Sequence, residues 1–286
     1  MDKKRILVTG SKGQLGSELR VLSEGANWNF FFVDIDTLDI TDENAVETFF
    51  IDKKINYCIN CAAYTAVDQA ENNQEAAYKV NVIGAEVLAK VTEKTNSVLF
   101  HISTDFVFGG EKLIPYNETD QTSPLSVYGK TKLEGEKAIE QNTKRYYIIR
   151  TAWLYSSFGN NFVKTMLNLA KTRDSLGIVV DQVGTPTYAK DLAQVILTII
   201  EHDKEEYGVL HFSNEGVASW YDFAKTIFNI KDVKIEVKPI STFEYPTPAK
   251  RPQYSVMDKS KIKNTFNISI PYWQDSLINC LSLIES

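Results

Sequence analysis

The stretch ILVTGSKGQLGSELR, residues 6–20, decides how the rest of the chain is read. It carries glycines at 10, 13 and 16 between what reads as a first strand and a first helix. Gly10 permits a tight turn, Gly13 lets the backbone approach a pyrophosphate, and Gly16 lets helix and strand pack closely. The helix N-terminus then offers free N–H groups to phosphates. The spacing is G-x-x-G-x-x-G, a departure from the commoner G-x-G-x-x-G. Three glycines alone also fit a purely structural turn, so the reading rests on what surrounds them.

What surrounds them is alternation. Short apolar and β-branched runs recur as RILVTG, FFFVD, NYCINC, SVLFHIS, YYIIRT, GIVVD and GVLHF, with helix-like segments such as DENAVETFF, AAYKVNVIGAEVLAKVTEK and DLAQVILTIIE between them. Near-continuous apolar strands point to a parallel sheet covered on both faces by crossover helices, an α/β doubly wound fold. The expectation is about seven strands in that sheet. Residues 1–150 read as a dinucleotide-binding domain, with strands from about 175–215 completing the sheet. Residues 151–286, where loops lengthen and aromatics and prolines gather, contribute most of a smaller lobe for the substrate.

Composition narrows the partners. A net charge of -6 gives no broad attraction to nucleic acid or to an anionic membrane, though it leaves room for a local phosphate pocket. The apolar part of MDKKRILVTG is too short for a signal-peptide core, and no apolar run spans a bilayer, so a cytoplasmic protein is expected. Three cysteines fit a reducing compartment. Cys58 and Cys61 form a C-x-x-C on a strand, where an offset of three sends the side chains to opposite faces, so they read as structural. The histidines His101, His202 and His211 are isolated and read as core or surface residues. No catalytic metal is expected.

The second predicted strand ends at Asp34, where a carboxylate accepts hydrogen bonds from an adenosine ribose and disfavours a 2′-phosphate. Asp36 and Asp39 compete for that role, and Lys12 partly offsets the repulsion, so NADH and NADPH both stay open. The third strand exits through NCAAYTAVDQAE, whose Ala62 and Ala63 let a cofactor lie against the backbone. In VYGKTK, Tyr128 and Lys132 share one helical face at i and i+4. A cation beside a phenol stabilises the phenolate and brings it toward the range useful for proton transfer. Thr104, at the end of the strand VLFHIST, places a hydroxyl at the carboxyl edge where parallel sheets bind ligands.

This ordered set resembles the short-chain dehydrogenase/reductase superfamily, with its Rossmann-like fold, in the extended branch that modifies nucleotide sugars. RTAWLYSSFGNNFVKTML, DQVGTPTYAKDLA and RPQYSV are similar to the reductases of that branch acting on dTDP-linked 4-keto sugars. The resemblance covers nearly the whole chain. It implies that Tyr128 protonates the C4 oxygen of dTDP-4-dehydro-L-rhamnose as nicotinamide hydride adds to C4. It implies that Lys132 orients the ribose and depresses the phenol, and that Thr104 tunes Tyr128. For the cofactor it points to Gly13, Gln14, Leu15, Asp34, Asp39, Ile40, Ala63, Tyr64 and Thr65, with Tyr128 and Lys132. For the sugar nucleotide it points to Thr104, Asp105 and Trp153, with Asn161 and Arg251 at the phosphates or base. Asn81 takes the superfamily's structural asparagine position.

Some members are magnesium-bridged dimers held through glutamates, one near the C-terminus. This chain ends IES with Glu285 and shows no acidic cluster, so a structural magnesium and the choice between monomer and homodimer stay open. The competing readings are another extended-branch reductase or epimerase, and a dinucleotide-binding regulatory subunit without turnover. Intact Thr104, Tyr128 and Lys132 argue against the last.

Overall fold

The computed structural model describes residues 3–284. Its central sheet has β1 (Arg5–Thr9), β2 (Asn29–Phe32), β3 (Tyr57–Asn60), β4 (Val98–Thr104), β5 (Tyr146–Thr151) and an edge strand Gly208–His211. The order is β2-β1-β3-β4-β5 and then Gly208–His211, every pair parallel. Chain direction across the sheet reverses between β1 and β3, which opens a crevice at their carboxyl ends. The glycine turn leaves β1 there, and NCAAYT leaves β3.

Period-two alternation within the strands makes two cores. Ile6, Val8, Ile59 and Phe100 face Leu15 and Leu19 of the helix Gln14–Ser23 and Leu192, Ile196 and Ile200 of the helix Ala189–His202. On the other face Leu7, Cys58, Leu99 and Ile148 meet Val46 and Phe50 (helix Glu43–Lys53), Leu88 and Val91 (helix Gly84–Lys94) and Ile139 (helix Val127–Asn142). Each fully buried aliphatic side chain stabilises by about 1.5–3 kcal/mol, so these layers, more than helix propensity, hold the helices. Cys58 lies in the second core and Cys61 packs against the first, so the two thiols do occupy opposite faces.

The sheet has six strands where about seven were expected. Gly208–His211 joins it, but Ser175–Val179, the run read as GIVVD, does not. It pairs in parallel with Glu236–Ile240 in the smaller lobe. The reason lies in its burial: Ser175 and Gly177 are exposed while Leu176, Ile178 and Val179 are buried, and Val180 beyond them is exposed again. Such a strand is covered on one face only. The lobe gathers Tyr155, Val163, Phe223, Ile227, Trp273 and Leu277 into its own core, with helices Phe162–Ala170, Trp220–Ile230 and Trp273–Leu281 around them. Among the described residues no helix is long and apolar enough to cross a membrane.

Candidate active site

The glycine turn is built as its spacing requires. Gly10 has φ +60°, and a Cβ there would fall 2.6 Å from the Ala62 nitrogen, so only glycine lets β1 and β3 exit side by side. A Cβ on Gly16 would fall 2.6 Å from Ser11 Cα, so glycine lets the first helix pack closely against the turn that leaves β1. Gly13 is the N-cap of the first helix and supplies no side-chain cap, so the N–H groups of that first turn are left for an anion. The donor set therefore fits a pyrophosphate. Asp34 lies two residues beyond the end of β2 at Phe32, where the strand was expected to run to the aspartate, with Oδ2 accepting the Lys12 backbone N–H at 3.0 Å and Oδ1 accepting that of Ile35 at 2.9 Å. The Lys12 ammonium is paired with Asp36 at 2.6 Å. Asp39 accepts the backbone N–H and hydroxyl of Thr41, an Asx turn that holds its carboxyl below the usual range.

The helix Val127–Asn142 brings the phenol and amine to the same edge. Ser126 caps it, accepting the Gly129 N–H at 3.2 Å, and the Glu71 carboxylate accepts the Val127 N–H at 2.9 Å. A single π-turn, Lys79–Ile83, carries Asn81 to the same place. Asn81 accepts the Tyr64 N–H at 2.8 Å and donates to the Tyr64 carbonyl and the Thr131 hydroxyl, locking the loop after β3 to this helix.

Tyr128 is partly buried, its ring edge-on to Phe106. Burial pushes its phenol up to about 12, with the nearby Asp105 carboxyl acting the same way and the Thr104 hydroxyl opposing. The depression expected from Lys132 is absent here, because the amine is engaged elsewhere. Lys132 Nζ donates to the Ile102 carbonyl at 2.7 Å and lies 3.0 Å from His101 Nε2. Burial brings Lys132 down to about 8, while Glu136 and Cys61 act to raise it. Thr104 Oγ1 donates to Asp105 at 3.1 Å and accepts the Phe106 N–H. Asp105 is buried and pushed up to about 6 by that burial, and its Oδ2 has no partner among the described residues.

On the lobe side, Trp153 stacks on Trp220 with ring centroids 3.6 Å apart and planes 9° apart, and its backbone sits at φ +47°. Such a conformation is strained for a tryptophan and is held by the surrounding packing. Arg251 makes a two-pronged pair with Asp68, at 3.1 and 2.7 Å. Asn161 caps the helix Phe162–Ala170 and donates to the Gln14 carboxamide at 2.9 Å, tying the lobe to the glycine turn.

One cleft of about 920 Å³ joins these parts. Gly10, Gly13, Gln14, Leu15, Gly16, Asp34, Asp39, Ile40, Ala62, Ala63 and Thr65 line its cofactor half. Thr104, Asp105, Tyr128, Lys132, Trp153, Asn161 and Arg251 line the remainder. Tyr64, expected at the cofactor, is not among the lining residues; its backbone is bound to Asn81 instead. Trp220 was missed by sequence reasoning. It follows Ser219, which forms a capping box with Asp222, and that S-x-x-D signal marks a helix start but says nothing of where the first aromatic points. His101, beneath Lys132, was also read only as a core or surface residue. Among the described residues no group of three metal-ligating side chains occurs, and Glu285 lies outside them.

The sequence model of the RmlD substrate binding domain family matches residues 4–285. A dTDP-4-dehydrorhamnose reductase of Aggregatibacter actinomycetemcomitans is 44% identical, covering 98% of this chain and 99% of the relative. The crystal structure of a dTDP-4-dehydrorhamnose reductase from Clostridium acetobutylicum is 46% identical with a TM-score of 0.94, covering 98% of this chain and 99% of the other. That of the Bacillus anthracis reductase in complex with NADP is 37% identical with a TM-score of 0.95, over the same shares.

Proposed function

This chain belongs to the RmlD family, and from that premise we propose that it reduces the C4 ketone of dTDP-4-dehydro-L-rhamnose to dTDP-L-rhamnose with NADH or NADPH. The carrying observation is that the glycine turn, Thr104, Tyr128, Lys132 and Trp153 all line one cleft at the switch point of the sheet. A bound nicotinamide dinucleotide supplies the hydride. Gly10, Gly13 and the uncapped first turn hold its pyrophosphate, and Asp34 lies at the ribose end. The Trp153–Trp220 stack and Arg251 receive the sugar nucleotide from the lobe side.

Tyr128 then delivers its phenolic proton to the oxygen at C4. With the phenol pushed up to about 12 in the free protein, the group is protonated throughout the neutral range, as a proton donor must be. Loss of the proton leaves a phenolate, which the Lys132 ammonium stabilises as it turns toward the ribose. Thr104 hydrogen-bonds the reacting oxygen and steadies the phenol. The three cysteines, none of them in a disulfide, support work in a reducing compartment such as the cytoplasm.

The test is to mix the protein with dTDP-4-dehydro-L-rhamnose and follow NADH and NADPH absorbance separately. Oxidation of either cofactor, with dTDP-L-rhamnose as product, is expected. No oxidation with both ends this reading.

A further inference from the structure

The carboxyl end of the sheet closes with a polar row. Thr9, Asn60 and His101 stand in register on the neighbouring strands β1, β3 and β4, continuing the face that carries Leu7, Cys58 and Leu99 one layer below. All three are almost completely buried. Asn60 Oδ1 accepts from the Thr9 hydroxyl at 2.7 Å and from the Ala62 backbone N–H at 3.2 Å. Those two donors fix the orientation of the carboxamide, since turning it over would set its NH₂ against the Ala62 N–H. Asn60 Nδ2 therefore donates to His101 Nδ1, 3.0 Å away. A neutral imidazole that accepts at Nδ1 carries its proton on Nε2, and Nε2 faces Lys132 Nζ at 3.0 Å.

An N–H aimed at an amine is a hydrogen bond; aimed at an ammonium it opposes one donor to another. We propose that His101 is a positioning residue for Lys132: its Nε2–H holds the amine form beneath the cleft and turns the ammonium form away, toward the cofactor ribose and Tyr128. Lys132 thus changes hydrogen-bond partners as it titrates, keeping the Ile102 carbonyl in both states. His101 itself does not ionise, because complete burial and the neighbouring Lys132 hold it well below the ordinary histidine range. The other titratable groups around Lys132 are Cys61 at the end of β3, and Tyr128 and Glu136 on its own helix. Glu136 is closed off by Arg150 from β5 and by the Ser103 hydroxyl, so its charge is already committed.

The inference rests on Lys132 acting in the ammonium form, as in the proposed reaction. Activity then falls as pH rises through the Lys132 titration, and His101, by favouring the amine, sets that limb lower than lysine alone would. In His101→Phe the high-pH limb of kcat moves up by about 0.5–1 pH unit, the size expected for one net hydrogen bond. KM for the sugar nucleotide stays unchanged. An unmoved limb overturns the proposal, and so does a downward shift.

A second measurement uses the unsubstituted protein and needs no turnover. Long-range ¹H–¹⁵N spectra of histidine-labelled protein at neutral pH read each ring's tautomer. His101 is expected with its proton on Nε2. His211, whose Nδ1 lies 3.1 Å from the Tyr116 carbonyl, is expected with the opposite tautomer. A proton on Nδ1 of His101 overturns the proposal whether or not the variant folds. Inactivity of the unsubstituted protein would instead sink the reaction, a result the spectra distinguish.

Discussion

Two sides of one cleft treat their polar groups in opposite ways. On the cofactor side the buried row Thr9–Asn60–His101–Lys132 is saturated: every member bonds another or a backbone group. On the sugar side Asp105 keeps a carboxylate oxygen, and Thr151 its hydroxyl, without a partner among the described residues, though both residues line the same cleft. An unpaired buried polar atom costs stability, about 1–3 kcal/mol or more if charged, so folds rarely leave one without a use. The saturated side is a frame that holds the lysine. The unsaturated side keeps hydrogen-bonding capacity that the fold itself does not use, which on the proposed reaction would serve the sugar nucleotide.

Within the frame, the largest expected loss of activity comes from breaking its reactive end. Lys132→Met removes the amine and keeps most of its packing, and kcat is expected to fall by about 10²-fold or more, read in steady-state assays with saturating cofactor. Next is the ion pair under the frame. Arg150 and Glu136 are bonded through several contacts with side chains about 5% and 3% exposed, so Arg150→Met leaves a buried carboxylate with no countercharge and only the Ser103 hydroxyl as partner. A loss of about 3–5 kcal/mol in urea unfolding follows.

The sugar side responds in the opposite direction. The Asp105 carboxyl is pushed up to about 6 in the folded protein, so the stability linked to it is full below the ordinary aspartate range and is lost as pH rises through 6. Asp105→Asn is therefore expected to be more stable than the unsubstituted protein by roughly 2–3 kcal/mol at pH 8 and no more stable at pH 4. It binds the sugar nucleotide less tightly at the same time. A variant equally stable at both pH values would show that the two sides do not differ as described. The smallest effect is at the ribose end: Asp34→Asn removes about 1 kcal/mol of repulsion toward a 2′-phosphate, raising the NADPH-to-NADH ratio of kcat/KM about fivefold.

Legibility in the sequence does not follow that division. Glycine spacing, strand–helix alternation and the Tyr128–Lys132 offset are local signals, and they sufficed to place the turn, the fold class and the catalytic pair, whereas Asp105, Trp153, Asn161 and Arg251 came only through the family resemblance. The Thr9–Asn60–His101 row was invisible, because its members are distant in the chain and meet only through strand register. Ser175–Val179 misled for a related reason: an apolar run does not say whether one face or two will be covered, and here the lobe covers one. The Trp153–Trp220 stack joins residues from separate helices and loops, so neither side announces the other. Tyr64 shows the limit of carrying a role by position, since its backbone serves Asn81.

The central claim is that Tyr128 supplies the proton that completes reduction at C4. Tyr128→Phe removes one hydroxyl from a ring that keeps its edge-on packing against Phe106. Single-turnover reduction of dTDP-4-dehydro-L-rhamnose, measured beside a cofactor-binding titration, is predicted to slow by about 10²–10⁴-fold while cofactor affinity is retained. Turnover at the unsubstituted rate would contradict the account.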